Sequence, residues 1–229
     1  MSTAAEELAR DLRRRIMVGA LKPGDALAGE RELASEMSVS RTTVRAAMSL
    51  LAAEGFVTRK VGRHGGTFVR RPGADTVAAS LRHAVASDGL PDVDLAEARL
   101  RLEPVCAELA AARRGSEHID VLNSLQNEMA TSLHRSHFLA ANAKFHLEIA
   151  RASRNTVFFS ILSGLLHPIR DLTDNKEVVQ QDHLRETVRA HEGVLRAIVN
   201  GDPVGARDAM HKHMSAHASL VTRARSEHP

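Results

Sequence analysis

The residues best suited to chemistry are histidines. The 229-residue chain has 13, of which all but His64 lie beyond residue 72. Over residues 136–152, Phe138, Ala141, Phe145 and Ile149 form an apolar stripe at helical spacing, bordered by Asn142 and His146, four residues apart. The stripe over 179–200 is Leu184, Val188, His191, Leu195 and Ile198, with His191 at its centre. Over 203–225 it is Ala206, Met210, His213, His217 and Leu220. Each of three helices thus aims an imidazole into one small interior. Separate buried histidines, each with its own hydrogen bond, are one explanation. A shared divalent metal is the other, and it is favoured. An unpaired buried polar group costs about 1–3 kcal/mol, neutral imidazole is the commonest metal ligand, and one ion satisfies all three rings. His211, His217, His134 and His137 are expected at the surface or just outside such a site.

A second cluster is cationic. Arg41, Thr42, Thr43 and Arg45 crowd the first turns of a helix that Ser40 is placed to cap. Arginine can take a guanine edge with two parallel hydrogen bonds, and threonine can bond phosphate or touch a thymine methyl. A helix amino-terminus itself attracts phosphate. Arg31 on the preceding helix is a further candidate clamp. Arg63 and His64, flanked by glycines that include Gly65, occupy a hairpin tip where backbone can approach DNA closely.

The elements that must position these groups follow from periodicity. Helices are expected over 4–18, with the stripe Leu8, Leu12 and Ile16, over 30–37, and from Arg41 to near Gly55, with the stripe Val44, Ala47, Met48 and Leu51. Ser38-Val39-Ser40 is the turn between the second and third. Strands are expected over 56–60 and 67–71, joined at Gly62–Gly66. The pattern is a winged helix-turn-helix, whose second helix enters the major groove. Arg70-Arg71-Pro72-Gly73 marks a boundary, giving domains 1–72 and 73–229. Beyond it, helices are expected near 75–87, 94–114, 117–134, 136–152, 155–175, 179–200 and 203–225. Short connections make this an antiparallel bundle, with kinks or breaks at Pro104 and Pro168. The fold class is mainly α.

Composition agrees with this division. Residues 1–72 carry 13 Lys and Arg against 8 Asp and Glu, whereas residues 73–229 carry 18 against 20, so the basic excess sits with the helix-turn-helix. No apolar run approaches a membrane span and the opening residues do not read as a signal peptide. The single cysteine, Cys106, excludes an internal disulfide, fits a reducing cytoplasm and reads as a small buried apolar residue.

The segment LKPGDALAGERELASEMSVSRTTVRAAMSLLAAEGFVTRKVGRHGGTFV resembles the winged helix of GntR-type bacterial transcription regulators. That resemblance implies DNA contacts by Arg31, Arg41, Thr43, Arg45 and the wing around Arg63 and Gly65. Further along, EARLRLEPVCAELAA, ANAKFHLEIARASRN, AHEGVLRAIVNGD and AMHKHM resemble the FCD effector-binding domain of the FadR branch. Many FCD domains bind a metal through three His and an Asp four residues before one of them, and the metal helps hold a small carboxylate. Carried onto this chain, the resemblance implies His146, His191 and His213 as ligands and Arg99 as an effector contact. Asn142 stands where the usual ligand is Asp. An amide oxygen can bind a metal but brings no charge, so the metal would keep more positive charge, favouring an anionic ligand.

These readings converge on a regulator, and a repressor by the commoner family pattern. It is expected to bind a palindromic operator in double-stranded DNA as a homodimer, with a small organic acid as effector, no membrane partner and no enzymatic activity. Zinc is the expected metal, with nickel as alternative. Two competing readings are an acyl-CoA-responsive regulator without metal, which Asn142 supports and the three histidines oppose, and a metal-dependent hydrolase, for which no general base is evident.

Overall fold

In a computed structural model the protein is described over residues 2–62, 65–87, 90–173 and 181–227, with the side chains of 166–173, 181 and 223–227 excepted. It forms two compact units, Met1–Thr76 and Val77–Pro229.

The first unit contains α1 (Ala4–Met17), α2 (Glu30–Glu36), α3 (Arg41–Ala53), β1 (Val57–Lys60) and β2 (Gly66–Val69). Helix α1 starts at a capping box: the Thr3 hydroxyl accepts from the Glu6 amide at 3.3 Å, and the Glu6 carboxylate accepts from the Thr3 amide at 2.9 Å. Its buried residues Leu8, Ala9, Leu12 and Ile16 include the expected stripe, and Val44, Ala47, Met48 and Leu51 of α3 do the same. Arg13 grips Glu54, just past α3, through two hydrogen bonds of 2.6 and 2.7 Å.

The turn between α2 and α3 is a Schellman motif. Ser38 adopts φ 52°, the left-handed region, which lets the Val39 amide reach the Ala34 carbonyl at 3.0 Å. Ser40 then caps α3 by accepting from the Thr43 amide at 3.0 Å. The strands pair antiparallel with Val57 opposite Val69 and Lys60 opposite Gly66.

The second unit is built from helices, with α4 (Ala74–Ala86) leading into it. Then come α5 (Asp92–Arg113), α6 (Ser116–Thr131), α7 (Arg135–Ala152), α8 (Thr156–Thr173), α9 (Gln181–Asn200) and α10 (Pro203–Glu227). The expected end of α8 at 175 and start of α9 at 179 fall outside the described residues. Helix α5 packs most extensively on α10, and also on α7, α8 and α9. The core between them is mostly aliphatic, with Leu122, Phe145, Ile149, Leu162, Ile198, Met210 and Met214 fully enclosed.

Of the kink or break expected at Pro104, the break does not occur. Pro104 has no N–H to offer the Leu100 carbonyl, yet α5 runs on through it. Pro104 is buried between Glu103 and Cys106, and tertiary packing along this face outweighs the lost bond. Helix α8 likewise passes position 168 unbroken.

Candidate functional site

The metal candidate is assembled by α7, α9 and α10: His146 comes from the border of the α7 apolar stripe, and His191 and His213 from the middle of theirs. His191 Nε2 lies 3.2 Å from His146 Nε2 and 3.0 Å from His213 Nε2. Ligand atoms of the three residues all fall within 4.8 Å of one another. His146 and His191 are buried and His213 half-buried. The Phe145 ring stacks on His191, centroids 4.4 Å apart, and fixes its plane.

Protons cannot satisfy this arrangement. The His191 Nε2 atom carries either a hydrogen or a lone pair, so it makes one good hydrogen bond and faces the other imidazole unsatisfied. A cation among the three nitrogens has no such conflict. Imidazole nitrogens at 2.0–2.1 Å from one ion are separated by roughly 2.9–3.4 Å for ligand angles of 90–110°, and the observed separations are 3.0 and 3.2 Å.

Around the triad sits a polar shell. His146 Nδ1 donates to Glu103 Oε2, which turns its Nε2 lone pair toward the other rings. This is how metal-binding histidines are usually held. Arg99 Nε donates to Glu103 Oε1 at 2.6 Å, four residues back on α5. Burial alone would raise the Glu103 carboxyl, but the Arg99 charge and the hydrogen bonds from His146 and Arg99 hold it far below the usual carboxylate range, so it only accepts. Burial first, then the neighbouring rings, holds His191 and His213 well below the ordinary imidazole range, leaving neutral rings with free lone pairs. Asn142 lies one turn before His146, and its Oδ1 is buried without a hydrogen-bond partner. An orphaned acceptor oxygen on the same helix as a ligand fits the approach of a cation or its water.

Cys106 takes no part in this cluster: it is buried, and its thiol is pushed up to about 12 by burial and by Glu103. His134, His137 and His211 are exposed as expected, while His217 is half-buried with an enclosed Nδ1. Glu103 went unread in the sequence. Its signal was an Arg99–Glu103 pair four residues apart, set among Leu95, Ala96, Cys106 and Ala107 on one helical face.

The cationic cluster lies at the start of α3. Arg31, Ser40, Arg41, Thr42 and Arg45 are exposed, and Thr43 is half-buried. The Ser40 hydroxyl is 2.6 Å from that of Thr42 and 2.8 Å from that of Thr43, so these three hydroxyls form one knot at the helix amino-terminus. Arg45 donates to both Glu30 oxygens, at 2.9 and 3.4 Å, and Arg59 on β1 donates to Glu30 at 2.9 Å. Neither Glu30 nor Arg59 was singled out from the sequence, and both bear on how Arg45 is aimed. Arg63 and His64 fall outside the described residues. Gly65 has a structural duty: a Cβ there would lie 2.5 Å from the Lys60 carbonyl.

A winged helix-turn-helix followed by a helical domain is the architecture of a class of bacterial transcription regulators. The family model described as "Bacterial regulatory proteins, gntR family" matches residues 4–69, and the model described as "FCD domain" matches residues 94–216. The chain belongs to the GntR family and carries an FCD domain. It is 30% identical over 220 residues to the "Putative L-lactate dehydrogenase operon regulatory protein" of Escherichia coli, covering 92% of this chain and 83% of that one. It is also 30% identical over 203 residues to the "HTH-type transcriptional regulator LutR" of Bacillus subtilis, covering 86% and 91%. Among solved structures, a Streptococcus agalactiae GntR protein superposes with a TM-score of 0.62 at 27% identity, covering 94% of this chain and 99% of that one. The protein is a transcription regulator and not an enzyme. Among the described residues no helix is long and apolar enough to cross a membrane.

Proposed function

We propose that this regulator belongs to the FadR branch and acts as a cytoplasmic repressor whose operator binding is relieved by a small carboxylate. The carboxylate binds the helical domain at a metal-assisted site. The observation that carries this reading is the convergence of three imidazoles, with His191 Nε2 at distances from His146 Nε2 and His213 Nε2 that suit one cation. His146, His191 and His213 would hold the metal, with Asn142 beside them. Zinc suits imidazole ligands best, and nickel is the alternative. When bound, the metal supplies positive charge to an anion. Three neutral rings and a neutral amide cancel none of that charge, which favours a carboxylate over a neutral ligand. The description of the Escherichia coli relative names an L-lactate dehydrogenase operon, which supports a short hydroxy acid as effector. The metal-free acyl-CoA reading has Asn142 in its favour but leaves the imidazole contacts unexplained.

Arg41, Thr42, Thr43 and Arg45 read base edges and phosphates, Ser40 and the start of α3 hold a phosphate, and Arg31 with the wing at Arg63, His64 and Gly65 completes the interface. One recognition helix reads few bases, so a homodimer on a palindromic site supplies the specificity. The effector acts by preferring one arrangement of the DNA-binding modules; without a difference in affinity it could shift nothing.

The test begins with an operator selected from a random duplex pool. Operator affinity is then measured with and without short hydroxy acids, keto acids and acyl-CoAs. A His191→Ala variant is expected to keep operator affinity and lose the effector response. Loss of operator binding in a well-folded His191→Ala dimer would contradict this division of labour.

A further inference from the structure

The imidazole triad leaves a second set of buried polar groups without an explanation. His217 lies one helical turn beyond His213 on α10, and its Nδ1 is buried with no hydrogen-bond partner. Across the seam on α5, Arg99 is 2% exposed. Its Nε is committed to Glu103, but Nη2 has only the thioether of Met214, at 3.9 Å. Sulfur is a weak acceptor, and a buried guanidinium is normally met by oxygens in a fork. Helices α5 and α10 pack closely enough for the Arg99 charge to act on His217. His217 is absent from the set of ligand atoms within 4.8 Å of one another, so its place is beside the triad rather than in it.

We propose that His217 is an effector contact, which with Arg99 takes a carboxylate oxygen of a small hydroxy acid on the α5–α10 seam. Arg99 supplies charge and one arm of its fork. The His217 Nδ1–H supplies a neutral, directional donor that a lysine or arginine there could not supply without repelling Arg99. The other carboxylate oxygen and the hydroxyl on the neighbouring carbon are left for the imidazole triad. A carboxylate with a hydroxyl on the neighbouring carbon, as in L-lactate and citrate, can serve both clusters, whereas propionate offers the triad no hydroxyl. This inference rests on the carboxylate-receptor reading above.

Calorimetry on full-length, zinc-loaded protein tests it, with L-lactate, citrate and propionate as probes and zinc content measured alongside. Wild type is expected to bind L-lactate or citrate more tightly than propionate. His217→Ala should weaken that binding at least tenfold with zinc content unchanged, and His217→Gln, which retains an N–H, should recover most of it. Thermal melts establish that each variant is folded; if His217→Ala is not, His217→Leu takes its place. Unchanged affinity in the folded variants overturns the proposal. So does a parallel loss of zinc, which makes His217 a metal ligand. A zinc-loaded wild type that binds neither L-lactate nor citrate overturns the carboxylate-receptor reading, and this inference with it.

Discussion

Replacing Glu103 with Gln probes the site at its most connected point. The carboxylate is 1% exposed and bridges Arg99 Nε to His146 Nδ1. Gln keeps the shape and one acceptor but removes the charge, leaving the Arg99 guanidinium buried without a counter-ion. Breaking a buried pair from one side costs about 3–5 kcal/mol. For a protein of this size that lowers the melting temperature by about 6–20 °C. A second effect is separable. His146 loses the partner that orients its ring, and such changes weaken metal affinity about 10- to 100-fold. The double variant Arg99→Leu/Glu103→Leu distinguishes the two. It removes both charges, so much of the stability should return, while metal affinity stays low because His146 remains unsupported. Urea unfolding of metal-free protein gives the first quantity, and competition against a fluorescent zinc chelator gives the second. A Glu103→Gln variant within about 1 kcal/mol of wild type, with unchanged zinc affinity, would refute the reasoning.

Other consequences are open to measurement. Arg45→Ala should reduce affinity for the selected operator about 10- to 100-fold and relax base preference at one position per half-site, read by competition with single-base operator variants. Glu30→Gln, which frees Arg45 and Arg59 from a shared carboxylate, should blur the same preference without abolishing binding. The histidines set a pH dependence. His191, His213 and His217 have folded-state values below the ordinary 6.5, so the unfolded chain binds more protons below that pH. Their contribution to stability is complete above about 6.5 and is lost as pH falls, with the His217 share disappearing down to about 3. Urea midpoints of metal-free protein should therefore decline on acidification from neutral pH. A flat profile between pH 7 and 5 would count against the burial of these rings.

Much of the fold could be read in advance because its helices are amphipathic. Leu8, Leu12 and Ile16, or Phe138, Ala141, Phe145 and Ile149, mark buried faces by spacing alone, and the cap at Ser40 follows from residue type. The triad was legible for the same reason: a histidine in or beside an apolar stripe leans inward. Glu103 was hidden because an Arg and a Glu four residues apart ordinarily form a solvated surface pair, and only packing of α5 against α7 and α10 takes the pair inside. The partnership of Glu30 with Arg45 and Arg59 spans three elements and has no local signature. At Pro104 a local rule forecast a kink or a break, and the buried surroundings overrode the break.

The most direct test of the central claim is elemental analysis of the purified chain beside a His146→Ala/His191→Ala/His213→Ala variant, each before and after reconstitution with zinc. About one divalent ion per wild-type chain is expected, and almost none in the folded triple variant. Equal, near-zero metal in both after reconstitution would contradict it.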